Sequence, residues 1–231
     1  MRYTRANPLI AIKNDSTILS DLEVVSLIPS LQRQLTEHFA PAWGIGAQLI
    51  FAEGRVPKNA YRITVVDEAT DEEDAGFIGY HFSPEGYPMA TIFAREDMKN
   101  GTISDTLSHE ILEMIIDPAC NLFAHRPASV GRPARGYFYE VCDPVQCVHY
   151  RIDGVTVCNF VYPEWYEYVW EKGARRFDHL GKLEEPFQVL PGCYADVFER
   201  RRGWLTVWGS NRRKRRGRHR NKARRMEQAL F

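Results

Sequence analysis

The stretch from Ile103 to Pro118, "ISDTLSHEILEMIIDP", leaves this chain the fewest choices. At 100° per residue, Ile103, Leu107, Ile111, Met114 and Ile115 gather on one face, while His109, Glu110, Glu113 and Asp117 gather on an adjoining one. The pattern predicts a helix that commits one side to a core, with Thr102 or Ser104 as its cap. Pro118 ends it, because a residue before proline avoids helical backbone. The bland reading of the polar side is a solvated acidic face.

The flanking sequence supplies a sheet for such a helix to cross. "NPLIAIKND" reads as a first strand. "SDLEVVSLIPSLQRQLTEHF" places Val24, Ile28, Leu31, Leu35 and Phe39 on one helical face, with Ser20 or Asp21 as cap and Pro29 expected to kink the helix or displace its start. "AQLIFAEG" and "AYRITVVDEA" read as strands, "DEATDEED" as a solvated acidic loop, and "GFIGYHFSPEGYPMATIFARED" as two strands joined around Ser-Pro-Glu-Gly. Beyond the helix come a Gly/Pro/Arg loop, a strand-like "YFYEVCD", a hairpin "VHYRIDGVTVCNFVYP", an aromatic segment and a last pair of strands. This order predicts an α+β fold in one domain over 1–210, with a basic tail at 211–231.

The helix also carries chemistry. His109 and Glu113 are four residues apart, so their side chains stack one turn above the other and can share one ion. Glu110, beside them but turned from direct ligation, is placed to act as a general base. The pattern is that of the zinc-peptidase signature H-E-x-x-H with Glu113 at the second histidine. Carboxylate oxygen binds zinc at about 2.0–2.2 Å, so the exchange is permissible, but a harder, more anionic shell admits other divalent metals as competitors. Asp117 lies eight residues past His109, about 12 Å along the axis, too far for the same ion. A third ligand must come from "YFYEVCDPVQ", which offers Glu140 and Asp143. Residues three apart on a regular strand face opposite sides, which favours Glu140 unless Asp143 sits in the Cys-Asp-Pro turn. Tyr137, Tyr139 and Tyr150 are candidate donors to a developing oxyanion. His38, His81, His125, His149 and His179 have no turn or helical spacing to His109 and read as surface or packed residues.

Composition narrows the class. With 231 residues and 44% hydrophobic content, the chain can bury one substantial core or two small ones. No apolar run approaches the roughly 20 residues that cross a bilayer, and the N-terminus lacks a secretory signal, so no membrane partner and an intracellular or virion-associated setting are expected. Five cysteines without a C-x-x-C pair indicate neither a disulfide scaffold nor a zinc ribbon. Cys142 and Cys147 could bridge or join a metal site, with reduced packing as the favoured reading.

Net charge of zero conceals a split: residues 211–231 hold ten Lys/Arg and one Glu, a balance of +9, and the other 210 residues stand at −9. A segment so basic and poor in apolar residues cannot form a core. It suits nucleic acid through phosphate neutralisation, or an acidic protein surface, without base-specific readout.

Six blocks in order, "LQRQLTEHFAPAWGIGAQLIF", "GYHFSPEGYPMATIFA", "LSHEILEMIIDPACNL", "YEVCDPVQ", "YRIDGVTVCNFVYPEWY" and "PFQVLPGCYADVF", resemble a family of zincin-like, metallopeptidase-type proteins from bacteria and their phages. The resemblance spans roughly residues 8–208. Its Ser-His-Glu-x-x-Glu and Glu-Val-Cys-Asp motifs fall on Ser108, His109, Glu110, Glu113, Glu140, Val141, Cys142 and Asp143. Two features depart from the family's pattern: Gln146 stands where it has an acid, and the arginine-rich tail is extra. The resemblance implies a zincin-like mixed sheet whose edge strand, expected at "PMATIFA", receives an extended peptide by strand addition. The function expected is therefore a zinc-dependent hydrolase of a peptide or amide bond, with His109, Glu113 and Glu140 or Asp143 on the metal. The alternative is an inert protein of the same fold, such as a phage virion component anchored by its tail.

Overall fold

A computed structural model of the chain describes residues 7–70, 77–100, 102–168 and 176–209. Five strands, β1 (Leu9–Asn14), β2 (Gln48–Phe51), β3 (Tyr61–Val66), β4 (Gly79–Phe82) and β5 (Met89–Phe93), form one sheet in the order β2-β1-β3-β5-β4. Neighbours run parallel from β2 to β5, and β4 is antiparallel to β5. The buried centre of β1, Ile10 to Ile12, is a continuous apolar run, as expected of a strand covered on both faces.

The connection from β1 to β2 is helical. α1 (Asp21–Arg33) starts in a reciprocal capping box: Ser20 Oγ accepts from the Glu23 amide and the Glu23 carboxylate accepts from the Ser20 amide. Pro29 neither displaces that start nor ends the helix. The chain continues as a π-helical stretch, Gln34–Phe39, and a last turn, α2 (Ala40–Trp43), closed by Gly44 at φ 70°, a left-handed position suited to glycine.

After β5 come α3 (Ala94–Asn100) and α4 (Ile103–Ile116), the latter packed against β4, β5 and a later hairpin strand. A Cβ at Gly79 would lie 2.8 Å from Thr106 Cγ2, so the missing side chain is what lets β4 approach α4 so closely. The second half builds a four-stranded sheet, β11-β10-β7-β6, from β6 (Phe123–Arg126), β7 (Arg135–Phe138), β10 (Tyr194–Glu199) and β11 (Gly203–Trp208). It adds the predicted hairpin, β8 (His149–Ile152) and β9 (Val155–Cys158). Asp153 and Gly154 both have positive φ, 49° and 84°, the requirement of a two-residue turn matched to strand twist. One contiguous core runs from Ile10 in β1 through Leu107 and Ile111 in α4 to Val197 in β10. The α+β class expected from the sequence is thus observed.

Three expectations need correction. "PMATIFA" is not the edge strand: β5 lies between β3 and β4, because the chain folds back at Ser83–Gly86 and makes β4 the edge. The strand in "YFYEVCD" stops at Phe138, leaving Glu140 and Asp143 in non-strand backbone. Cys147 is not a packed thiol but is bonded to Cys193 across 46 residues, while Cys120, Cys142 and Cys158 are free and buried. The basic tail lies outside the described residues. No helix among those described is long and apolar enough to cross a membrane.

Candidate metal centre

Helix α4 is held in rotation by its small polar residues. Ser108 Oγ donates to Gln34 Oε1 at 2.7 Å and accepts from the Cys158 amide at 3.1 Å, tying the helix to the π-helical stretch and to β9. The expected caps act differently: Thr102 and Thr106 hydroxyls both donate to Asp97 Oδ1 at 2.7 Å, and Ser104 Oγ donates to Thr156 O. Burial pushes the Asp97 carboxyl up to about 6 against the pull of those hydroxyls. With the helix so fixed, both its faces are buried, including Glu110 and Glu113. The solvated acidic face is therefore not what forms.

Four carboxylates and two imidazoles meet here. His109 Nε2 is 3.2 Å from Glu113 Oε1 and 3.4 Å from Asp143 Oδ1. Asp143 reaches the site from the first residue of the Asp143–Val145 turn, the Cys-Asp-Pro geometry on which its role depended. Glu140 arrives too, but beside a histidine that sequence reading set aside. His81, from β4, lies with Nδ1 3.1 Å from Glu110 Oε2 and 3.6 Å from Glu113 Oε2, and Nε2 3.8 Å from Glu140 Oε2. The Cys142 amide donates to Glu113 Oε1 at 3.2 Å and fixes that carboxylate between the two rings. Side-chain exposure is 14% at His109 but only 3% at His81, so solvent reaches the cluster past His109.

The electrostatics follow from burial among like charges. Burial alone lowers the His109 imidazole, but the Glu113 carboxylate and Asp143 outweigh it and hold the pKa well above the usual histidine value. His81 is raised in the same way, its burial overridden by Cys120, Glu140 and Glu110. Glu113 is pushed well above the carboxylate range by burial and the Glu140 charge, with His109 opposing. The cluster thus holds more buried carboxyl groups than imidazoles to pair with them, four against two. Buried charge that is not compensated costs several kcal/mol per ion. The donor chemistry fits a divalent cation: the ligand atoms of His109, Glu113 and Cys142 lie within 4.8 Å of one another, as do those of His81, Glu113 and Glu140.

The other predicted residues sort clearly. Asp117, buried, accepts from the amides of Asn121 and Leu122 and organises the turn after α4. Tyr150 bonds His38 Nδ1 at 3.0 Å, and the Tyr137 ring packs edge-on to Trp165. Tyr139 stacks on Tyr166 with centroids 4.1 Å apart. The tyrosine that sequence reading missed is Tyr166: burial, Glu113 and Glu140 push its phenol well up, and its hydroxyl has no hydrogen-bond partner among the described residues. His149 pairs with Asp105 at 2.9 Å, away from this cluster, and His125 is exposed.

Comparison of the chain with protein-family models, with curated proteins and with solved structures gives no match.

Proposed function

We propose that the protein is a metal-dependent hydrolase of the zincin-like kind, acting on a peptide or amide bond, with His109, Glu113 and Asp143 holding a divalent cation. The observation that carries this reading is the convergence of Glu113 Oε1 and Asp143 Oδ1 on His109 Nε2, at 3.2 and 3.4 Å, at the most exposed side chain of a buried carboxylate cluster. The mixed sheet, its antiparallel edge strand and the His-Glu-bearing helix beside it agree with the same reading.

A bound zinc or similar divalent cation would supply Lewis-acid polarisation of the substrate carbonyl and render water more acidic. Glu110 takes the proton of the attacking water and returns it to the leaving amine. His81 holds one Glu110 oxygen at 3.1 Å, which orients the carboxylate and leaves its other oxygen for the proton. Tyr166, in place of Tyr137, Tyr139 or Tyr150, donates to the oxygen that gains charge. An extended substrate pairs with the outer edge of β4, which carries His81. The basic tail adds attachment to nucleic acid or to an acidic protein surface, each phosphate contact contributing salt-dependent affinity.

The test is metal content and turnover on the full chain. His109→Ala and Asp143→Ala should lose zinc, whereas Glu110→Gln should keep it and lose roughly 100- to 10,000-fold in cleavage of a quenched-fluorescent peptide library. Wild-type protein that takes up no divalent cation, or Glu110→Gln cleaving at the wild-type rate, contradicts the proposal. Full metal content without cleavage favours the inert, structural alternative. A chain ending at Ser210 that binds DNA at low salt as well as the full chain would remove the nucleic-acid role of the tail.

A further inference from the structure

The cluster has more ligands than one cation uses, and they divide into two sets. We infer that a second divalent cation binds beside the first, held by His81, Glu113 and Glu140, with the Glu113 carboxylate shared between the two positions. This inference rests on the metal-binding reading above and extends it from one ion to a pair.

The division is visible in the carboxylate at the centre. Glu113 turns Oε1 toward His109 Nε2, at 3.2 Å, and Oε2 toward the His81 ring, 3.6 Å from its Nδ1, and ligand atoms of His81, Glu113 and Glu140 lie within 4.8 Å of one another. Opposite oxygens of one carboxylate thus face two imidazoles from different elements, α4 and β4, which is the arrangement of a bridging ligand. Its orientation is not free, because the Cys142 amide donates to Oε1 at 3.2 Å. Around each ring a separate carboxylate completes the set: Asp143 lies 3.4 Å from His109 Nε2, and Glu140 lies 3.8 Å from His81 Nε2.

His81 also has the outer partner that a ligating histidine needs. Its Nδ1 faces Glu110 Oε2 at 3.1 Å. A ring that donates from Nδ1 to a carboxylate presents Nε2 as an unprotonated ligand, and such pairing fixes both tautomer and ring orientation. Nε2 is the nitrogen that faces Glu140. A histidine whose task was to neutralise one acid would need one carboxylate; three converge on this one.

Two further observations point to a guest at this position. The Tyr166 hydroxyl is buried beside these carboxylates, at 7% exposure for the residue, and meets no hydrogen-bond partner among the described residues. Two divalent cations would also offset the charge of four carboxylates with both rings neutral, whereas one leaves a buried surplus. Sharing a carboxylate between two ions is the usual device of two-metal hydrolases, in which the pair clamps the attacking and departing atoms.

The experiment counts ions on the full chain. Metal-free protein is dialysed against Mn(II), freed of excess, and analysed for manganese by mass spectrometry and for spin coupling by electron paramagnetic resonance. The expected result is two equivalents per chain with an exchange-coupled spectrum. His81→Ala should drop to one equivalent with an isolated-ion spectrum, and His81→Gln, closer in volume, should do the same if the alanine variant fails to fold. One equivalent in the wild-type chain, with an isolated-ion spectrum and lost in His109→Ala but not in His81→Ala, overturns the second position and leaves the proposed function standing. No bound manganese or zinc at all overturns both.

Discussion

Two pairs of histidines sit in this molecule with opposite surroundings. His81 and His109 lie among carboxylates, whereas His38 and His179 stack on each other with centroids 4.7 Å apart, bordered by Tyr150, Tyr162 and Phe160. Burial acts on all four in one direction, against the charged ring. In the aromatic pair burial outweighs the nearby acids Glu37 and Asp178, so His38 is lowered and His179 falls to about 4. In the acidic pair the carboxylates reverse it, and both rings are raised. A histidine drawn wholly or partly out of water therefore declares its role through its neighbours: aromatic faces make it a neutral packing group, and converging carboxylates make it a ligand or a cation.

The sharpest way to break this contrast is to remove one ring from each pair. His109→Ala should lower affinity for zinc by more than about 100-fold, beyond the cost of losing an outer partner, while His179→Ala leaves affinity unchanged; competition with a chelating dye measures both. Equal effects would erase the distinction.

The next largest effect concerns the frame rather than the rings. The Cys147–Cys193 bond closes a loop of 46 residues and lies just past the turn that supplies Asp143. Replacing both cysteines by serine should cost about 2–4 kcal/mol in urea unfolding. It should also weaken metal binding at the acidic pair, because Asp143 is no longer anchored by the adjoining bridge, and leave the aromatic pair's ring contacts unchanged by NMR.

A smaller change comes from relieving repulsion. Glu140→Gln removes a buried carboxylate whose charge helps push Glu113 up, so the metal-free protein should gain roughly 1 kcal/mol while the metal-loaded protein loses stabilisation by the ion. Thermal melts with and without zinc should therefore move in opposite directions.

The smallest effect isolates the aromatic pair. The folded pKa of His179 is about 4, below the unfolded value near 6.5, so between these the unfolded chain binds more protons. Its contribution is complete above about pH 6.5 and is lost as pH falls toward 4. Allowing for the solvent access of this half-buried ring, the loss is about 1 kcal/mol. His179→Phe should flatten that part of the stability–pH curve; an unchanged slope contradicts the assigned environment.

What the sequence disclosed was local. The stacking of His109 and Glu113 follows from helical spacing alone, and the Ser20 capping box and the Asp-Gly hairpin are written in adjacent residues. Asp143 was legible only as an alternative, since its approach depends on whether Cys-Asp-Pro turns. His81 was not legible: a single histidine in "GYHFSP" has no spacing that relates it to α4, and only the fold-back of β4 onto the edge of the sheet brings it to Glu110. Tyr166 and the Cys147–Cys193 bond were hidden for the same reason, being contacts between segments far apart in sequence. The aromatic pair joins residues 38 and 179, and no periodicity connects them.

The most direct test of the metal centre is anomalous diffraction at the zinc edge from crystals of the full chain grown with zinc. A peak is expected within coordination distance of His109 Nε2, Glu113 and Asp143. Ordered side chains at those three positions with no anomalous peak among them would contradict it.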